Sequence, residues 1–215
     1  MNYQRIYEYR FKDVDLSKKN LVWREVAQYI SALTNQPQIV LDPAGGMCEF
    51  INNISASEKW TIDLNEEFVR KYAEKSIKII VGENLKVDLP ENYFDLIFIS
   101  NFLEHLHTQD EVAEFLAKMH GAVKTGGHIV VMGPNFKYAW KEYFDFADHT
   151  VCLSELGVSE HIVGAGFDIV KIFPRFLPIS FRGRLPVNKF LVKSYLKMPF
   201  FWNFFGKQFL IVGKK

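Results

Sequence analysis

The sequence contains only two cysteines, Cys48 and Cys152, among its 215 residues. Two isolated cysteines form neither the spacing of a zinc site nor a disulfide framework, so we expect two reduced thiols. No apolar stretch approaches the roughly 20 residues that a membrane-spanning helix requires. The first residues contain no continuous apolar core, so a secretory signal is not expected. These absences favour a globular protein of the cytoplasm.

Acidic residues are absent after Asp168, although the net charge of the whole chain is only +1. That C-terminal part contains ten of the 26 lysines and arginines, so the first 168 residues carry 16 basic and 25 acidic side chains. Such a separation of charge predicts a basic C-terminal region that faces a partner or a substrate.

Short β-branched runs alternate with segments of helical periodicity along most of the chain. The predicted helices are residues 16–34, 49–54, 65–75, 110–123 and 153–166, the last with Gly166 as its C-cap. The predicted strands are residues 38–42, 59–63, 77–81, 94–100, 128–133, 167–173 and 208–215, with a break at 125–127 before the fifth. This alternation predicts an α/β fold with a doubly wound, mostly parallel sheet of seven strands. Ligands of such folds bind at the carboxyl ends of the strands.

The loop after the first strand, residues 42–48, lacks the glycines of the common nucleotide-binding motifs. It has no Gly-Lys-Ser/Thr of a P-loop, and a dinucleotide G-x-G-x-x-G would need glycine where Ala44 or Cys48 stands. A nicotinamide-dependent reductase is disfavoured on two grounds. The glycines of G-x-G-x-x-G are missing, and so is a catalytic Tyr-x-x-x-Lys in the right place.

Asp42 and Asp63 end consecutive strands and lie about 20 residues apart, the separation at which a second acid meets the ribose of a bound nucleotide. A carboxylate suits that position because it accepts two hydroxyl hydrogen bonds at once. The alternative is that Asp63 caps the helix that begins at Asn65. The strand-end position beside a loop of small residues favours the ligand role.

Five segments resemble, in their order, the class I S-adenosylmethionine-dependent methyltransferases: VLDPAGGMCEF, TIDLN, VGENL, DLPENYFDLIFISNFLEHL and VKTGGHIVVMGPN. The resemblance extends from about Val40 to Phe173 and implies a Rossmann-like methyltransferase fold with S-adenosylmethionine as the cofactor. The segment PNFKYAWKEYFDFADHTVCLS is most similar to methyltransferases found with bacterial surface-polysaccharide synthesis.

The resemblance implies a cofactor site at the ends of the first four strands. The 42–48 turn would hold the methionine part, and Asp63 would hold the ribose hydroxyls. The polar pair 83–84 would meet the adenine amine and ring edge, with Leu64 beside the adenine and Leu85 packed on its face. The implied cofactor-binding residues are Asp42, Ala44, Gly45, Gly46, Asp63, Leu64, Glu83, Asn84, Leu85, Asn101 and Phe102.

The family pattern after the first strand is D-x-G-x-G-x-G, whereas this chain has Asp42, Ala44, Gly46 and Cys48 at those positions. Alanine costs little there unless its position needs a positive φ. Cysteine is larger and would shorten the approach of the cofactor to the following helix. We interpret the loop as a tolerated variant with weakened cofactor affinity. The alternative is a catalytically silent binding or scaffold protein that retains the fold.

Methyl transfer from a sulfonium requires an aligned acceptor, and a base where that acceptor is a hydroxyl. In the segment EYFDFADHT, His149 is the predicted base, with Asp148 to orient its ring and raise its basicity. His105 would border the methyl donor and is the second candidate. Alternatively, Asp148 and His149 tie a loop, and Glu104 and His105 are a first-turn helix acid and a satisfied histidine. These residues have no diagnostic metal-ligand spacing, so no metal is predicted.

The segment between the last two strands is rich in phenylalanine and contains four of the eight prolines. A helix is predicted between Pro186 and Pro199, where Lys189, Lys193 and Lys197 are stacked at i, i+4 and i+8. A basic amphipathic helix beside an aromatic run suits an anionic membrane or a lipid-linked diphosphate acceptor. The alternative is a substrate lid whose lysines face water. The acidic remainder of the chain disfavours nucleic acid.

The sequence thus predicts one methyltransferase domain over residues 1–215. Its parts are a helical segment at 1–36, a cofactor-binding core at 37–173, a basic aromatic lid at 174–207 and a last strand at 208–215. The predicted acceptor is a small molecule or glycan, foremost a sugar hydroxyl of a surface-polysaccharide precursor. We expect a cytoplasmic protein with peripheral contact to the inner face of the membrane.

Overall fold

The computed structural model describes residues 3–12, 15–179 and 188–215. Seven strands form one sheet in the order β3-β2-β1-β4-β5-β7-β6, in which β7 runs antiparallel to both neighbours and the other pairs are parallel. The strands are β1 (Ile39–Asp42), β2 (Glu58–Asp63), β3 (Lys78–Val81), β4 (Phe94–Ser100), β5 (Val123–Pro134), β6 (Asp168–Phe173) and β7 (Gln208–Lys214). The predicted fold class is confirmed, and the strand order reverses between β1 and β4, where ligands of such sheets bind.

Helices cover both faces of this sheet. They are α1 (Tyr3–Phe11), α2 (Leu16–Leu33), α3 (Glu49–Asn53), α4 (Glu66–Tyr72), α5 (Gln109–Ala122), α6 (Phe136–Ala139), α7 (Glu155–Gly164), α8 (Lys189–Lys197) and α9 (Trp202–Phe205). Alternate residues of a strand face opposite sides, so in β4 Leu96 and Phe98 pack with α2 and α3, whereas Ile97 and Ile99 pack with α5 and α7. None of the described helices is long and apolar enough to cross a membrane.

Two predicted boundaries differ from the structure. Residues 125–127 do not break the chain before the fifth strand, because β5 begins at Val123, which pairs with Phe94 before the register shifts. Gly126 has a φ of +83° in this irregular stretch, which glycine adopts without strain. In α7 the C-cap is Ala165, and Gly166 follows it with a φ of +101°.

The C-terminal segment packs on the face of the sheet that α2 covers. The predicted helix is confirmed as α8, whose Leu196 is buried in the same core as α2. The hydroxyl of Tyr195 donates to the carbonyl of Phe176, and the buried Trp202 donates from Nε1 to the carbonyl of Tyr195. Arg182, Arg184 and Pro186 of the predicted basic segment lie outside the described residues.

Candidate active site

The carboxyl ends of the parallel strands open into one cleft of about 2000 Å³. The cleft brings together every residue that the sequence predicts for the site. These are Asp42, Ala44, Gly45, Gly46, Asp63, Leu64, Glu83, Asn84, Leu85, Asn101, Phe102, His105, Asp148 and His149. From the predicted lid, Ile179 is the described residue that borders the cleft, so the role of 174–207 as a lid stays a prediction.

The loop after β1 passes close to the end of β2. Two glycines of this loop allow that path for different reasons. A Cβ at Gly45 would lie 2.1 Å from Oγ1 of Thr61, so that position needs the missing side chain of glycine. Gly46 has a φ of +50°, and a Cβ there would meet no atom within 4 Å, so its backbone lies open to a ligand. Its N–H donates to Oδ2 of Asp63 at 3.0 Å, which joins the two strand ends.

The two non-glycine residues of the loop do not obstruct the cleft. Ala44 has no positive φ, so alanine is accommodated there without strain. Cys48 does have one, +57°, but its side chain is fully buried in the core with Phe50 and Val69. The expectation that the cysteine shortens the approach of the cofactor is therefore wrong, because its side chain points away from the cleft.

Asp42 and Asp63 give the floor of the cleft an acidic character. Burial raises the pKa of Asp42 to about 7, and the charges of Glu49 and Asp63 add to that rise. Burial also raises the pKa of Asp63, whose carboxylate accepts the N–H of Gly46 and of Asn65. The helix cap of α4 is Asn65, which accepts from the N–H of Phe68, so Asp63 is not that cap. Buried acids of this kind favour a cationic ligand.

An unsatisfied acceptor lies on the opposite side of the loop. Asn84 donates from Nδ2 to the carbonyl of Pro43 at 2.6 Å, whereas its Oδ1 is buried without a hydrogen-bond partner among the described residues. A buried acceptor of this kind fits an exocyclic amine. Glu83 pairs instead with Lys86 at 2.6 Å on the rim. The open glycine backbone, the two acids and this acceptor together fit S-adenosylmethionine.

The far end of the cleft contains two histidines that come from different segments. His105 lies in a 3₁₀ turn after β4, and its Nδ1 is 3.0 Å from the main-chain oxygen of Asp148. The ring centroids of His105 and His149 are 5.0 Å apart. His149 stacks on Phe146, and Tyr143 is fully buried and donates its hydroxyl to the carbonyl of Val151. Tyr143 therefore holds the loop in place.

The carboxylate of Asp148 has partners other than the predicted one. It forms an ion pair with Arg10 of α1 and lies 3.5 Å from Nδ1 of His105. Burial alone would raise the pKa of Asp148, but the hydrogen bond from Arg10 and the charge of His105 lower it. No hydrogen bond joins Asp148 to the ring of His149 in the described part of the chain. Burial lowers the pKa of His149 to about 4, so its ring is uncharged at neutral pH and weakly basic.

Two charged residues at this end were not predicted as site residues. Arg10 lies 138 positions before Asp148 in the chain, and no motif in α1 marks it. Glu104 is only 1% exposed, and its Oε1 has no hydrogen-bond partner in the regions that the structure describes. Burial raises the pKa of Glu104. The one signal for it in the sequence was its place beside His105 at the end of a strand.

Comparisons with known proteins agree with this geometry. Residues 41–131 match the family model described as a methyltransferase domain, and no curated protein matches the chain. A SAM dependent methyltransferase from Archaeoglobus fulgidus has 22% identity over 100% of both chains and a TM-score of 0.70. One from Thermotoga maritima, described as a possible histamine N-methyltransferase, has 13% identity over 97% of this chain and 98% of that chain, with a TM-score of 0.65. An S-adenosylmethionine-dependent methyltransferase from Clostridium acetobutylicum has 12% identity over 99% of this chain and 97% of that chain, with a TM-score of 0.65.

Structural similarity at these identities shows the fold. The match to the methyltransferase domain and the residues of the cleft indicate the reaction. Residues 41–131, the strand order and the cleft have the features of S-adenosylmethionine-dependent methyltransferases. The cofactor is S-adenosylmethionine, and the chain is an enzyme that transfers a methyl group from it.

Proposed function

We propose that the methyl acceptor is a sugar hydroxyl on a surface-polysaccharide precursor, carried on a nucleotide or a lipid diphosphate. The observation that carries this proposal is the composition of the far end of the cleft. Cationic side chains of Arg5, Lys12 and Lys18 border the cleft, and the uncharged imidazole of His149 lies beside His105. A diphosphate suits the cationic border, and a hydroxyl suits the imidazoles, which accept its hydrogen bond.

The residues of the chain divide the work of methyl transfer between the two ends of the cleft. When bound, S-adenosylmethionine supplies a methyl group activated by its sulfonium. Asp42 and Asp63 hold the cationic and ribose parts of the cofactor, while Phe102, which packs on Phe115 with ring centroids 4.9 Å apart, forms a fixed wall. Alignment of the acceptor against this wall accounts for most of the rate, since an oriented acceptor reacts without the entropic cost of encounter.

The C-terminal surface supports a second part of the proposal, which is docking on an anionic membrane. We define the aromatic basic face as Phe190, Phe200 and Phe204 with Lys189, Lys193 and Lys197. The three phenylalanines are 77%, 68% and 63% exposed, and the three lysines are exposed on α8 with no ion pair to a described residue. Exposed aromatic rings insert at a lipid interface, and lysines attract anionic headgroups.

The acceptor is tested by measuring S-adenosylhomocysteine formation with a panel of acceptors. The panel contains nucleotide-linked sugars, lipid-linked sugar diphosphates and, as a matched amine, histamine. We expect turnover with at least one of the sugars, and a product that is heavier than the sugar by one methyl group. Preference for the lipid-linked sugar over the same nucleotide-linked sugar identifies the carrier. Turnover with the amine and none with any sugar would contradict the proposal.

A further inference from the structure

Glu104, His105 and His149 form a compact cluster at the far end of the cleft. One carboxylate oxygen and one ring nitrogen from each histidine lie within 4.8 Å of one another. All three residues border the cleft. Within the described ranges, no hydrogen bond joins these three side chains to each other. They therefore do not satisfy each other's hydrogen-bonding capacity.

Two atoms of the cluster are buried and unpartnered. Oε1 of Glu104 and Nδ1 of His149 are both inaccessible to solvent and lack a hydrogen-bond partner among the residues that are described. A buried carboxylate oxygen without a donor is costly, and a cation or a proton compensates its charge. An unpaired imidazole nitrogen is a suitable ligand for a metal ion.

The surroundings of His105 have the arrangement that metal-binding histidines need. Nδ1 of His105 lies 3.0 Å from the main-chain oxygen of Asp148, and a hydrogen bond there leaves Nε2 with its lone pair. Asp148 is itself held by Arg10. The ring is thus fixed by a second layer of contacts that reaches back to α1.

We propose that Glu104, His105 and His149 hold a divalent first-row transition metal ion that binds the acceptor hydroxyl. Two imidazoles and one carboxylate are the ligand set of catalytic Zn²⁺ and Fe²⁺ sites, and such sites leave coordination positions open to substrate. The cleft supplies that opening. This inference departs from the sequence, which predicted no metal, and it rests on the proposed hydroxyl acceptor.

The ion replaces the general base that the sequence predicted at His149. A hydroxyl bound to a divalent ion loses its proton more readily, and the proton passes to water. The oxygen then forms a bond to the methyl carbon while the carbon–sulfur bond breaks and its electron pair stays on sulfur. His149 keeps its ring nitrogen on the ion throughout and takes up no proton.

Metal binding to the untagged protein tests the site directly. The chain is stripped with a chelator, and Co²⁺, Mn²⁺, Zn²⁺ and Mg²⁺ are titrated in turn while the melting temperature and the visible spectrum of Co²⁺ are recorded. We expect one equivalent of a transition ion to bind, to raise the melting temperature and to give Co²⁺ bands typical of nitrogen ligands. Glu104→Gln and His149→Ala should each weaken binding at least tenfold and lose most of the thermal shift.

A histidine outside the cleft provides the matched control. His161, on α7, forms a hydrogen bond with the side chain of Gln109 and does not border the cleft. The His161→Ala variant should therefore bind metal as tightly as the wild type. Glu104→Gln removes an unpaired buried charge, so its metal-free form is expected to fold. Equal metal affinity in wild type and Glu104→Gln, or no transition ion bound at one equivalent, would overturn the proposal.

Chelation separates this inference from the proposed function. If the chelated wild type still methylates sugars at the full rate, the metal is refuted while the acceptor stands. If metal binds at the cluster but no sugar is methylated, the acceptor assignment is refuted while the metal site stands.

Discussion

A proton and the cationic cofactor compete for the carboxylate of Asp42. Burial raises its pKa from 3.8 to about 7, so the charged form is disfavoured in the free protein. The cationic cofactor favours the charged form, and its binding should therefore release a proton. The affinity for S-adenosylmethionine should fall as the pH falls through about 7, by up to about tenfold per pH unit.

Titration calorimetry between about pH 6 and pH 8, in buffers with different ionisation enthalpies, measures this dependence. Asp42→Asn should remove it. The same variant should stabilise the free protein at neutral pH, because a raised carboxyl pKa lowers the free energy of unfolding as the pH rises from 3.8 toward 7. A pH-independent affinity in the wild type would show that Asp42 does not change its protonation on binding.

Strand ends were the most predictable elements of this molecule. Asp42 and Asp63 end apolar strands and Asn101 directly follows one. Parallel strands place their carboxyl ends along one edge, so the meeting of these residues in one cleft followed from the sequence. The contact of Arg10 with Asp148 did not follow, because it depends on the path of α1 across the cleft. The direction of the Cys48 side chain was also unpredictable, since it is set by the φ of one residue.

The loop of residues 42–48 is the element in which this chain departs from the methyltransferase pattern D-x-G-x-G-x-G. Ala44→Gly with Cys48→Gly should keep or improve the affinity for S-adenosylmethionine, because neither side chain obstructs the cleft. The free energy of unfolding should fall, because each glycine adds unfolded-state entropy worth about 0.4–1 kcal/mol and loss of the buried Cys48 side chain leaves a cavity. Relief of the positive φ at Cys48 offsets part of this loss. Calorimetry and urea unfolding measure the two effects.

Gly45→Ala is the contrasting variant in the same loop. Its new Cβ would clash with Oγ1 of Thr61, so it should lower the free energy of unfolding and, in contrast to the double variant, the affinity for S-adenosylmethionine. Loss of cofactor binding in the Ala44→Gly, Cys48→Gly protein would show that the loop is specialised for another task.

Charge is divided across the molecule between the acidic floor of the cleft, at Asp42 and Asp63, and the aromatic basic face. Wild type should co-sediment with anionic vesicles and not with neutral ones. Lys189→Gln with Lys193→Gln and Lys197→Gln should weaken that binding by roughly two decades, because each lysine contributes about 1 kcal/mol near an anionic surface. Added salt should have the same effect.

A second triple variant of equal charge tests whether the position of the lysines matters. Lys71→Gln, Lys75→Gln and Lys78→Gln remove three exposed charges near β3, at the far edge of the sheet, and should leave vesicle binding nearly unchanged. Phe200→Ser with Phe204→Ser should weaken binding even at high salt. If the wild-type protein does not co-sediment with anionic vesicles at low salt, membrane docking is refuted.

Methyl transfer by this protein requires the cofactor to occupy the cleft at the strand ends, and calorimetric titration with S-adenosylmethionine tests that occupancy most directly. We expect saturable binding of one equivalent to the wild type. Asp63→Ala should bind more than tenfold more weakly, since its hydrogen bonds to the ribose are worth about 1.5–3 kcal/mol each. Glu91→Ala, an exposed acid outside the cleft, should bind like the wild type. No saturable binding by the wild type, or unchanged affinity in a folded Asp63→Ala protein, would contradict the account.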